Sequence, residues 1–240
     1  MYMKKSMIKG IVSVIFASAL LCSCDLLDLT PKASVTVKTY FKNESELELY
    51  ANRFYSDILP GGSGIYKEIG DNMIWIPLAS EVSLTRTVPE KGGGWSFEAL
   101  RHINFLLENI GNCPDAAAVR KYTGVAKFFR AHYYFNMVKR FGDVPWLDHV
   151  PGTDDPDLYK ARDSRDVVMG KVIEDIDEAI RLFKKENSTK DLYHVTWWTA
   201  MALKSRICLF EGTFRKYHGL GDSEKWLRLC VESSETLMNA

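Results

Sequence analysis

The sequence predicts a mainly all-α protein made of stacked antiparallel helix hairpins, with one irregular loop insertion. Apolar residues recur at three-to-four spacing in successive segments from residue 43 onwards. Short connections join the later segments, as in helix hairpins. Residues 65–94 mix glycine, proline and tryptophan without periodicity, and a long irregular stretch of this kind in a compact domain is usually functional. A composition of 46% hydrophobic and 26% charged residues fits a globular chain.

Three helices are predicted before residue 142. Asn43 can cap the first helix with Glu46 three residues later, and Pro60 follows its end. The second helix has an apolar stripe from Phe97 to Ile110. The third is predicted from Asp115 to Phe141 and has apolar residues on two faces, so we expect neighbours on two sides of it.

Three more helices are predicted after residue 160. Asp163 is the expected cap of the fourth, the fifth spans Val195 to Phe210, and Asp222 opens the sixth. Trp197 and Trp198 are assigned to the core of the fifth helix. We find no 34-residue tetratricopeptide period, so any repeat is structural and degenerate.

The last helix has an apolar stripe with no following segment to cover it. The stripe consists of Trp226, Leu229, Cys230 and Leu237. Since a helix hairpin in a stack needs a neighbour to bury that face, the chain is expected to be the front part of a longer protein, truncated at its C-terminal end.

The N-terminus predicts a secreted lipoprotein. Lysines precede an uncharged apolar run from Ile11 to Leu21, which is the layout of a signal peptide. The following Leu21-Cys22-Ser23-Cys24 resembles a bacterial lipobox, which makes Cys24 the lipidated residue of the mature protein. The predicted organisation is a signal peptide (1–23), an extended tether (24–42) and a helical domain (43–240). An ordinary signal peptide with two incidental cysteines is the alternative.

Charge and motif content argue against nucleic-acid binding, cofactors and catalysis. Lys+Arg and Asp+Glu both number 31, so no basic field attracts phosphate backbones. H-E-x-x-H, G-x-S-x-G, Walker and G-x-G-x-x-G motifs are absent from the sequence. The five histidines show no ligand spacing, so no metal is expected. One acidic cluster lies along the fourth helix, where a solvated face is favoured over a catalytic pair: Glu174, Asp175, Asp177 and Glu178.

Four ordered motifs identify a family. The central one is AKFFRAHYYFNMVKRFGDVPW at 126–146, a helix followed by a glycine-proline stop. It is flanked by HINFLL at 102–107, by KARDS at 160–164 with the helix after it, and by the segment from Val195 to Leu209. Together they resemble the SusD/RagB family of Bacteroidetes outer-membrane lipoproteins, whose N-terminal half the chain is similar to.

The resemblance implies a surface nutrient-binding protein that is not an enzyme. Such a protein binds glycans or oligosaccharides and acts as the lid of a SusC-like TonB-dependent transporter. The insertion supplies candidate stacking residues, because its side chains are not part of helix stripes: Trp75, Trp95 and Tyr66. Trp95 can equally be the first core residue of its helix. A helical scaffold without a small ligand and a surface glycosidase are the alternative functions.

Overall fold

A computed structural model describes residues 40–61, 76–78, 80, 82–88, 90, 93–183 and 193–239. The predicted signal peptide, Cys24 and most of the tether lie outside this part of the chain. The fold described here is that of the compact unit that begins at Tyr40.

The described residues form six α-helices, which confirms the all-α prediction. They are α1 (Glu44–Ile58), α2 (Glu98–Asn109), α3 (Ala116–Phe141), α4 (Arg165–Leu182), α5 (Trp197–Tyr217) and α6 (Ser223–Met238). Two short 3₁₀ helices occur at Ile110–Asn112 and Pro156–Tyr159. These residues contain no β-strand, only an isolated antiparallel bridge between Val144 and Asp163. The described parts of the predicted insertion form turns and bends.

Side-chain caps start α1 and α3 where the sequence predicts them. The Asn43 side chain accepts a hydrogen bond from the Glu46 N–H at 3.0 Å, and the Glu46 carboxylate accepts one from the Lys42 N–H at 2.8 Å. Asp115 accepts hydrogen bonds from the N–H groups of the first turn of α3. These bonds satisfy donors that a helix N-terminus otherwise leaves unpaired.

The predicted start of α4 needs correction, whereas the predicted start of α6 is confirmed. Ser164, not Asp163, caps α4. The Asp163 carboxylate instead accepts a hydrogen bond from the Trp146 N–H at 2.7 Å, a long-range contact that competes with capping. Asp222 does precede α6, but its backbone is left-handed with φ 63° and its side chain makes no capping hydrogen bond.

Helix α3 lies between the other helices and contacts α1, α2 and α4. Its buried residues occupy both of its apolar faces, which confirms the expectation of cover on two sides. The last three helices follow as antiparallel neighbours. Asp166 pairs with Arg215 at one end of the α4–α5 contact, and Asp177 pairs with Lys204 towards the other end.

Helices α5 and α6 also run antiparallel and approach closely. The hydroxyl of Ser205 lies 2.7 Å from that of Ser234, and Gly212 faces Leu227. A Cβ atom at Gly212 would lie 2.8 Å from the Leu227 side chain, closer than real contacts allow. Glycine at this position therefore permits the helices to pack at their observed distance.

The expectation that the last apolar stripe is uncovered is wrong for Trp226, Leu229 and Cys230. Trp226 is 7% exposed, and Leu229 and Cys230 pack against the main core. The cover comes from α5, which continues to Tyr217, beyond its predicted end at Phe210.

The prediction that Trp197 and Trp198 are core residues is also wrong. Both are half-buried in the first turn of α5, with their rings in edge-to-face contact at 5.1 Å. Thr196 caps this helix in a capping box with Thr199, so the two tryptophans fall at a helix end rather than in its middle.

The prediction of a solvated acidic face on α4 is wrong for Asp175, which forms a buried ion pair between α3 and α4. Asp175 is 3% exposed, and its two carboxylate oxygens accept hydrogen bonds from Arg130 at 2.6 and 2.9 Å. Lys127 contacts the same carboxylate at 2.7 Å. The prediction holds for Glu174 and Glu178, which form surface pairs with nearby basic residues.

A second buried carboxylate lies between α4 and α5. Glu211 is fully buried, and Arg165 and Arg215 donate hydrogen bonds to it. Arg165 also lies over the Phe214 ring, at 3.6 Å from its centroid. Buried charges of this kind are stable only when paired, so the two ion-pair networks constrain how α3, α4 and α5 pack.

Candidate functional site

Trp95 lies directly before α2, against the end of α3. Its ring stacks on Phe141 with centroids 4.8 Å apart and an interplanar angle of 20°. Phe97 approaches the same ring at 5.8 Å. The side chain is half-buried and packs against the main core, which supports the core role that the sequence left open for Trp95. Trp75 and Tyr66 lie outside the described residues.

Two arginines flank this aromatic pair. The guanidinium carbon of Arg162 is 4.9 Å from the centroid of the Trp95 ring, and that of Arg140 is 5.1 Å from the centroid of the Phe141 ring. Both side chains belong to exposed residues. They reach the rings from different elements, because Arg140 is in the last turn of α3 and Arg162 precedes α4.

A cavity of about 260 Å³ opens beside the Trp95–Phe141 pair. It is lined in part by these two neighbouring segments, at Gly94, Ser96, Arg140 and Phe141. The Tyr133 hydroxyl, at its wall, donates a hydrogen bond of 2.6 Å to the Ser96 carbonyl oxygen and so fixes the chain next to Trp95. Gly94 has φ 83°, and a Cβ there would clash with the Arg140 guanidinium. A side chain at position 94 would therefore displace Arg140.

A second cavity, of about 380 Å³, lies between α2 and the segment that follows α3. Its lining is largely apolar, with a few polar groups from Arg101, Asn104, His149 and Lys160. Asn104 donates hydrogen bonds of 3.0 Å to the carbonyl oxygens of Leu147 and His149. These bonds fix the wall of the cavity.

The structure brings His149 together with two aspartates at the rim of the second cavity. Its Nε2 atom is 3.0 Å from Asp155 and 3.8 Å from Asp157, and the three ligand atoms lie within 4.8 Å of one another. Hydrogen bonds to Asp155 and Asp148 raise the pKa of His149. An imidazole and two carboxylates are donors that can hold a divalent cation when the histidine is neutral. Sequence analysis missed this group, because Asp155 approaches His149 only through the turn that leads into the second 3₁₀ helix.

His132 lies on α3 near the first cavity. Its Nδ1 atom is 3.1 Å from the Asn136 amide nitrogen, and Asn136 lines that cavity. Burial, together with the charges of Lys139 and Arg206, lowers the pKa of His132 to about 4. The side chain is therefore neutral at pH 7.

Comparison with known proteins identifies the family of this region. Residues 95–209 match the family model SusD-like_3, described as "Starch-binding associating with outer membrane". The region is similar to this family. The match includes Trp95, both flanking arginines and all four sequence motifs. No curated protein sequence matches the chain.

Solved structures of SusD-like proteins share the fold. A SusD superfamily protein from Bacteroides fragilis superposes with a TM-score of 0.63 at 17% identity, over 83% of this chain and 44% of that one. B. fragilis NanU gives 0.62 at 18%, over 87% and 44%. A laminarin-binding SusD-like protein gives 0.57 at 20%, over 72% and 41%. This chain therefore corresponds to less than half the length of these relatives.

Among the described residues, no helix is long and apolar enough to cross a membrane. The described cysteines are free thiols: Cys113, Cys208 and Cys230.

We predict that His132 makes the folded domain less stable in weak acid. Because its pKa in the folded state is below the ordinary histidine value of 6.5, the unfolded chain binds a proton more readily as the pH falls from 6.5 towards 4. The free energy of unfolding therefore has its full value above pH 6.5 and decreases below it. At pH 5 the decrease is about 1–2 kcal/mol. Urea unfolding at pH 7 and pH 5 measures this difference.

The variant His132→Gln should reduce that loss, since glutamine does not titrate. His149→Gln is the control, because the His149 pKa is shifted upwards and its removal cannot relieve a penalty in acid. An equal loss of stability in wild type and His132→Gln would contradict the prediction.

Proposed function

We propose that the protein binds glycan or oligosaccharide nutrients at the cell surface, without turning them over. The observation that carries the proposal is the half-buried Trp95–Phe141 pair beside a cavity, within a region that matches a starch-binding family. Aromatic rings offer flat apolar faces to sugars, and nearby polar groups orient the hydroxyls. Trp75 and Tyr66, from the same insertion, are proposed to contribute further stacking surfaces.

We propose that the protein is the lid subunit of a SusC-like TonB-dependent transporter and delivers its ligand to that transporter. The family description, which places starch binding in association with the outer membrane, supports this role. Because the solved relatives are more than twice as long as the matching part of this chain, transport and full ligand affinity are proposed for the whole protein. Co-purification of the transporter with the protein from outer membranes tests the partnership.

The proposed location is the outer membrane, with a lipid anchor at Cys24 and the folded domain facing the exterior. A cysteine that carries two or more acyl chains attaches a protein stably to a membrane. Residues 24–42 would then act as the tether between the anchor and the first helix, which begins after Asn43.

Substituting Trp95 tests the binding proposal. Trp95→Ala should weaken binding of the best ligand on a glycan array by about tenfold, which corresponds to about 1.4 kcal/mol of lost stacking. Trp197→Ala is the control, because Trp197 is another half-buried tryptophan that lies outside the proposed site. Trp75→Ala tests the insertion in the same assay.

Equal binding by wild type and Trp95→Ala would exclude this site as the glycan site. Release of free sugar by the purified protein would favour the glycosidase alternative. Binding of protein partners with no glycan on the array would favour the scaffold.

Substituting the lipobox cysteines tests the anchor. In bacteria fed a labelled fatty acid, Cys24→Ala should abolish labelling of the protein, whereas Cys22→Ala should leave it intact. Mass spectrometry of the mature N-terminus should show a modified Cys24. An unmodified terminus, or labelling that depends on Cys22, would contradict the assignment.

A further inference from the structure

The arginines beside Trp95 and Phe141 have no counterion in the described structure. Neither Arg140 nor Arg162 has a carboxylate or a hydrogen-bond acceptor within bonding distance among the described residues. The buried arginines differ, since Arg130 pairs with Asp175 and Arg165 pairs with Glu211. Two guanidinium groups are thus available to a ligand next to one aromatic pair.

Helix geometry accounts for only one of these cations. Arg140 lies in the last turn of α3, where the partial negative charge of the helix end favours a basic residue. Arg162 lies on the segment between Lys160 and α4, outside any helix. Its position on the Trp95 ring needs another explanation.

The ring contacts hold the guanidinium groups in place. A guanidinium over an aromatic ring gains cation–π attraction and loses rotational freedom, while its N–H donors remain at its edge. Such an edge matches the two oxygens of a carboxylate or a sulfate. Because Phe141 and Arg162 both contact the Trp95 ring, a sugar that reaches this ring also meets a positive charge.

The surroundings add little negative charge. The cavity beside the pair is lined by one acidic side chain, Asp57, whose carboxylate is already paired with Arg53 at 2.9 Å. Its other polar side chains, Ser96, Tyr133 and Asn136, are neutral hydrogen-bonding groups of the kind that bind sugar hydroxyls.

We propose that the Trp95 site selects acidic glycans, with Arg140 and Arg162 each available to bind a carboxylate or sulfate group of a uronic acid or sulfated oligosaccharide. This inference rests on the proposed glycan-binding function and specifies its ligand class. The partly exposed aromatic pair borders the bound sugar, and the two arginines pair with its negative charges.

Binding of matched charged and neutral ligands tests the proposal. The first pair is a galacturonic acid oligomer and its fully methyl-esterified form, which differ only at the carboxyl groups. The second pair is a sulfated galactan oligomer and its desulfated form. Calorimetry with the purified protein should show at least about tenfold tighter binding for one or both acidic forms, and the difference should shrink at high salt.

The arginine variants locate the effect. Arg140→Gln and Arg162→Gln should each weaken binding of the acidic ligand by at least about fivefold and leave the neutral form within about twofold. Arg140→Lys and Arg162→Lys should recover only part of the affinity, since lysine keeps the charge but not the two-pronged geometry. Arg120→Gln is the control, because Arg120 is exposed and lies at the other end of α3.

The outcomes separate this inference from the proposed function. If neutral and acidic forms bind equally, or if the glutamine variants bind the acidic ligand as wild type does, the inference is overturned while glycan binding stands. If no glycan of either kind binds, both fail. Thermal unfolding of each variant confirms that a loss of binding is not a loss of folding.

Discussion

The Arg130–Asp175 ion pair is the contact on which most of this structure depends. It joins α3 to α4 in the interior, and the same guanidinium donates a hydrogen bond of 3.2 Å to Asn104 on α2. Asn104 in turn holds the carbonyl oxygens of Leu147 and His149. One buried cation thus links three helices and the segment that follows α3. Desolvating these charges is unfavourable unless every partner is present, so the network favours one arrangement of its parts.

That network also determines where the candidate site forms. The segment it holds continues through Trp146, whose N–H bonds to Asp163, and Val144 pairs with Asp163 through the backbone. Asp163 directly follows Arg162, the residue that contacts the Trp95 ring. Trp95 itself is held by its stack on Phe141. The site is therefore assembled from the ends of helices, whereas the charges that position it are buried in the helix stack.

Local signals in the sequence were enough to predict the helices. The caps at Asn43 and Asp115 are correct because their hydrogen bonds join residues within one turn. The cap at Asp163 is wrong because Ser164 can do the same work and a distant N–H group binds Asp163 instead. Local signals also could not show that α5 would cover the stripe of α6.

The polar contacts could not be predicted in the same way. Asp175 lies among other acids on a helix that looks amphipathic, and its partner Arg130 is 45 residues away. The group of His149, Asp155 and Asp157 has no recognisable ligand spacing. For Trp95 the sequence predicted a role in binding or in the core. It could not predict the arginines beside Trp95, because they come from the ends of two other segments. Charge selectivity at this site therefore depends on tertiary structure.

Urea unfolding of variants at two neighbouring carboxylates tests whether the Arg130–Asp175 ion pair organises the fold. Glu174→Ala removes an exposed side chain, whereas Asp175→Ala leaves Arg130 buried without its partner. The account predicts that Asp175→Ala lowers the free energy of unfolding by about 3–5 kcal/mol, and Glu174→Ala by less than about 0.5 kcal/mol. Similar small losses for both variants would contradict the claim that this ion pair organises the fold.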